Sequence, residues 1–141
     1  MRRNPGILLA IILITALITV LLAGCTGTKL AESFDKDEVI STAEEIIGFM
    51  SNEDYEAITS KVREDLRKDL SPDVLKNAAD VVLKGAGEFK EFQKSSVVGQ
   101  KSKSTGEDYA IAILITEYEN KKVTYTISFN TNMEVVGFYL R

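Results

Sequence analysis

The sequence predicts an α+β domain, with three N-terminal helices packed on one face of an antiparallel sheet of about four strands. Three observations carry this. Apolar residues recur at three- and four-residue spacing from Val39 to Leu83, and alternate over much of the chain from Phe89 to Leu140. Helix-capping residues punctuate the first half and turn residues the second. The helices come first and the strands after, an order that favours helices covering one face of an antiparallel sheet.

Ahead of this domain lies an apolar leader. Met1-Arg2-Arg3 is a positive start, and Ile7 to Leu22 is uncharged and nearly all aliphatic, with Thr15 and Thr19 the polar interruptions. Positive start, apolar middle and small residues at the end are the parts of a secretory signal peptide. The run exceeds the usual 7–15 or so apolar residues of a signal and falls short of the roughly 20 of a membrane span. The lone cysteine separates the two readings. Leu22-Ala23-Gly24-Cys25 resembles the lipobox of bacterial lipoproteins, in which a diacylglyceryl group joins the cysteine sulfur and a signal peptidase cuts just before it. The expected organisation is therefore a signal peptide at 1–24, recognised through Leu22, Ala23 and Gly24, a lipidated tether at 25–33, and one domain at 34–141. The alternative is an uncleaved anchor with an incidental cysteine. With Cys25 acylated, the partner is the membrane and the expected location is its extracytoplasmic face. Two acyl chains hold firmly where one gives only marginal binding, at about 0.8 kcal/mol per buried methylene.

The first helix is expected to start at Asp35 as N-cap, with Glu38 returning the bond of a capping box and Phe34 and Val39 as the staple. Val39, Ala43, Ile46, Ile47 and Met50 form its apolar face. Ser51-Asn52 breaks it and caps the next helix. Tyr55, Ile58, Val62, Leu66 and Leu70 make a second stripe, compatible with one helix to Leu70 or two shorter ones. Ser71-Pro72 opens a third helix as N-cap and first-turn proline. Leu75, Ala78, Ala79, Val82 and Leu83 form its buried face, and Gly85 or Gly87 its left-handed stop.

Phe89 to Val98 is the first strand and Gly99 to Asp108 a polar loop. Tyr109 to Tyr118 is the strongest strand. Its run Ala110-Ile111-Ala112-Ile113-Leu114-Ile115 is apolar at every position, which predicts a central strand buried on both faces. Glu119 to Lys122 is a hairpin turn. Val123, Tyr125, Ile127 and Phe129 face one way, and Thr124, Thr126 and Ser128 the other. Asn130-Thr131-Asn132 turns into a last strand from Val135 to Leu140.

Composition closes several routes. The net charge is −4, and loss of Arg2 and Arg3 with the leader takes it to −6, against the basic patch that nucleic-acid binding needs. The chain has no histidine, which removes the commonest general base and metal ligand. A single cysteine makes no internal disulfide. There is no Gly-x-Ser-x-Gly elbow and no Gly-rich phosphate loop, and Asn130 to Glu134 lacks the spaced carboxylates and glycine of a calcium loop. No cofactor and no metal site is expected.

The order of motifs resembles a known family. Asn52-Glu53-Asp54-Tyr55 separates the first two helices, Ser71-Pro72 opens the third, Gly87-Glu88-Phe89 follows, and Val135-Val136-Gly137-Phe138-Tyr139 ends the sheet. This is similar to family 3887 of the domains of unknown function, from about Phe34 to Tyr139. The resemblance implies a cone-shaped fold of the nuclear-transport-factor-2-like superfamily, also cystatin-like, with helices on a curved sheet. It implies a setting among secreted or lipid-anchored proteins of Gram-positive bacteria and archaea, and no catalytic residues. Some relatives are joined to a hydrolase domain, which is not expected here. Folds of that superfamily enclose a pocket between helices and sheet, and Tyr109, Tyr118 and Tyr125 are the candidates to line it. Asp108, Glu117, Glu119 and Glu134 fall at strand ends or turns, where carboxylates stay solvated. The expected function is a non-catalytic, tethered module binding an envelope protein or a small apolar ligand. The alternative is a small pocket enzyme of isomerase or hydratase type.

Overall fold

The computed structural model describes residues 28–141. The leader, the Leu22–Gly24 segment and Cys25 lie outside the described residues. Helix α1 spans Lys36–Ser51, α2 Tyr55–Lys61, a short 3-10 turn Glu64–Leu66, and α3 Pro72–Val82. Strands follow at β1 Phe89–Lys101, β2 Asp108–Tyr118, β3 Lys122–Phe129 and β4 Val135–Leu140. The α+β architecture is as expected, although the helices occupy the middle of the chain, 36–82, rather than its start. Each strand pairs antiparallel with the next, in the order β1-β2-β3-β4.

The caps explain the helix boundaries. Asp35 Oδ1 accepts from the amides of Asp37 at 2.8 Å and Glu38 at 3.0 Å. Among the described residues no bond returns from the Glu38 carboxylate, so Asp35 makes this cap alone. Phe34 and Val39 are both buried, as a staple requires. α1 stops at Asn52, but the next cap is Asp54, whose Oδ1 accepts from Ala57 N at 3.1 Å. The reason is Glu53, which takes a φ of 58° and turns the chain before α2 can begin. The second stripe breaks at Val62. That residue is extended, bridges in parallel to Val135, and is followed by Arg63 N donating to Val135 O at 3.0 Å. Pairing with the free edge of β4 thus ends α2 after seven residues. α3 begins as expected, with Ser71 Oγ accepting from Val74 N at 3.3 Å and Pro72 in the first position. Gly85 and Gly87 both take left-handed φ, 70° and 78°, open to glycine without strain.

The core lies between α1 and the sheet. Val39, Ala43, Ile46, Ile47 and Met50 meet Ala112, Leu114, Tyr125, Ile127 and Phe129 in one cluster of buried side chains. On β2 the strand is central, but only one face is fully covered. Ala110, Ala112, Leu114, Thr116 and Tyr118 are buried, while Ile111, Ile113 and Ile115 are half-buried on the other face. The expectation of burial on both faces is corrected by the helices, which all lie on one side. β1 runs to Lys101, three residues further than expected, because Gly99, Gln100 and Lys101 pair with Ala110, Tyr109 and Asp108. The outer edge of β1 is also used. Thr28 and Gly99 exchange backbone hydrogen bonds at 3.0 and 2.8 Å, and Thr28 Oγ1 donates to Gly99 O at 2.8 Å. A side chain at Gly99 has no room, since its Cβ would lie 2.3 Å from the Lys29 carbonyl oxygen.

Candidate functional site

The helix-facing side of the sheet is filled through its middle, and a sizeable opening lies at one end. There the last turns of α1 and α3, the start of β1 and the end of β2 surround a cleft of about 770 Å³. Tyr118 closes its floor as the last residue of β2. Its ring meets Phe89 edge-on, centroids 5.7 Å apart. Its hydroxyl is 2.7 Å from that of Tyr125 and 3.2 Å from Ser51 Oγ. Tyr125 is fully buried. Burial, then the hydrogen bond with Tyr118, pushes its phenol well above the usual tyrosine range.

The rim is charged. Glu53, Asp80 and Glu88 line it with Lys84. Tyr55 lies among them, and its phenol is held above the usual range by burial and then by the Glu53 and Asp80 carboxylates. Asp80 itself pairs with Lys76 at 2.6 Å. The Tyr55 and Tyr125 phenols are protonated at neutral pH, and of the two only Tyr55 lines the cleft.

Of the three candidate tyrosines, Tyr118 and Tyr125 come together and Tyr109 does not. Tyr109 sits at the start of β2, where its hydroxyl donates to Glu107 at 2.8 Å. It borders a separate hollow of about 570 Å³ with Thr28, Leu30 and Gln100. The separation along β2 is about 30 Å at roughly 3.3 Å per residue, so no single pocket holds all three. Tyr125 lies behind Tyr118 rather than lining the cleft. Ser51, read from sequence as a helix breaker and a cap for the next helix, joins the site because α1 ends beside Tyr118.

The carboxylates near the strands are at ends and turns, as expected. Asp108 pairs with Lys101 at 3.1 Å, Glu119 with Lys90 at 3.7 Å, and Glu117 accepts from Gln93. The Asn130 segment is a turn: Asn130 Oδ1 accepts from the amides of Asn132 and Glu134, and its Nδ2 donates to Glu134 at 2.9 Å. Among the described residues no three acidic, histidine or cysteine side chains cluster as metal ligands, and no helix is long and apolar enough to cross a membrane.

Fold and cleft together define a class: a small α+β domain with three helices on one face of a four-stranded antiparallel meander, open at one end. Residues 43–138 match the family described as protein of unknown function (DUF3887), and the chain belongs to that family. It is similar to the NMR structure of a protein from Ruminococcus gnavus ATCC 29149, with 31% sequence identity and a TM-score of 0.71 over 80% of this chain and 96% of that one. No curated protein matches.

Proposed function

We propose that this chain is a lipoprotein, held on the extracytoplasmic face of the cell membrane by a diacylglyceryl group on Cys25, and that its domain binds rather than catalyses. The architecture is read as the cone-shaped, nuclear-transport-factor-2-like one, with its interior filled and the end cleft at Tyr118 as the contact site. One observation carries the binding reading. The space where that fold would hold a reacting substrate is occupied by Ile46, Ile47, Met50, Leu114 and Ile127, and the hydroxyls beside it bond one another. Tyr55, Phe89 and Tyr118 supply ring surface at the cleft, and exposed carboxylates supply its rim.

The anchor is tested with Cys25→Ser, which removes the only acyl acceptor sulfur. The variant loses its acyl mass and accumulates as precursor, as does the wild type under a globomycin-type inhibitor. A serine variant processed and lipid-labelled like wild type overturns the anchor. The binding reading is tested by screening residues 28–141 against hydrolase, isomerase and hydratase substrates. Turnover lost on changing Ser51, Glu53 or Tyr118 overturns it.

A further inference from the structure

The place where Thr28 is held bears on how the domain meets the bilayer. Thr28 bridges antiparallel to Gly99 on the outer edge of β1. This pins Thr28 beside Gly99, two residues from Lys101 and close to the 102–107 hairpin tip. Cys25 precedes Thr28 by three residues. Three residues span at most about 10 Å. The Tyr118 end of β2 lies about 30 Å from its Asp108 end, beyond that reach.

We infer that the domain stands on the membrane with its β1–β2 hairpin end against the headgroups and the Tyr118 cleft at the far end, facing the aqueous envelope. This rests on the lipid anchor proposed above. Lys29, Lys101 and Lys103 are exposed near the entry point. The carboxylates Asp108 and Glu107 at that end pair with Lys101 at 3.1 Å and Arg63 at 3.7 Å, while Glu32 remains exposed. At the cleft end Asp80 pairs with Lys76 at 2.6 Å and Glu88 with Lys90 at 3.8 Å, while Glu53 and Lys84 line the rim. The cleft's ligand then comes from the envelope space and not from the bilayer below.

The test uses the full chain, processed in a lipidating bacterial host and reconstituted in vesicles containing anionic lipid. Ser104→Cys at the hairpin tip and Lys84→Cys at the cleft rim are each labelled with a fluorophore, Cys25 being blocked by its acyl group. Headgroup-spin-labelled lipid is the quencher. Vesicle flotation and acyl mass report the anchor separately. The expected result is flotation, loss of most emission at position 104, and no loss at position 84. Flotation with equal quenching at both, stronger quenching at 84, or none at either overturns the orientation and leaves the anchor standing. Absence of acyl mass and flotation overturns the anchor and the orientation with it.

Discussion

Removing one hydroxyl at a time from the Ser51–Tyr118–Tyr125 chain should give unequal losses. Tyr125→Phe deletes the buried end. Tyr118 keeps Ser51 at 3.2 Å, so the change loses one neutral hydrogen bond, about 1 kcal/mol. Tyr118→Phe deletes the middle. The Tyr125 hydroxyl, whose partner is Tyr118 at 2.7 Å in a fully buried position, is then orphaned. An unsatisfied buried hydroxyl costs about 1–3 kcal/mol, so this variant should lose about 2–3 kcal/mol in all. Ser51 is half-exposed and can turn to water. The double variant removes the orphan together with its partner and should lose only about 1 kcal/mol, so the two changes are non-additive by about 2 kcal/mol. Urea unfolding of residues 28–141 at neutral pH, with equal m-values across the series, measures this. If Tyr118→Phe is no worse than Tyr125→Phe, or the double variant is the sum of the singles, water reaches Tyr125 and the closed floor of the cleft is wrong.

The same phenol sets an alkaline limit. A raised folded pKa means that the unfolded chain loses its proton first, near pH 10, so stability is full below that pH and falls as pH rises above it; Tyr125→Phe should flatten that fall in melts between pH 9 and 11. The two faces of β2 should differ: Leu114→Ala, fully buried, should cost about 3 kcal/mol, and Ile113→Ala, half-buried, less than half of that in the same denaturation assay. Gly99→Ala places a Cβ against the Lys29 carbonyl and should release the Thr28 bridge, seen as faster amide hydrogen exchange at Thr28 and Gly99, with the β1–β2 pairing of Lys101 and Asp108 kept.

Much of the fold was legible because its signals are local. Asp35, Ser71 and Pro72 act within one helical turn, and the parity of Val123 to Phe129 is a property of one strand. Two misreadings are local, the absent Glu38 return bond and the cap at Asp54 set by the φ of Glu53; the others involve partners further along the chain. Val62 leaves the helix because β4, more than seventy residues later, offers an edge. β1 continues to Lys101 because β2 pairs with it. Ile111, Ile113 and Ile115 are as apolar as a doubly covered strand, and nothing within the strand says that all the helices lie on one side.

The cleft was half legible by the same logic. Tyr109 and Tyr118 are nine residues apart on one strand, an odd separation, so parity alone puts them on opposite faces. Tyr118 and Tyr125 flank a short hairpin, and a register in which Tyr125 faces Leu114 sets both rings on the core face. What parity cannot supply is the closure of the end, where Ser51, Phe89 and Tyr118 meet only because three elements terminate together. That meeting also decides what a ligand finds. The Tyr118 hydroxyl already shares its bonds with Tyr125 and Ser51, so at Tyr118 a ligand would meet ring surface, and Tyr55 is the cleft tyrosine left to offer a hydroxyl. Under the binding reading, discrimination would fall to Glu53, Glu88 and Lys84 at the rim, all exposed to solvent.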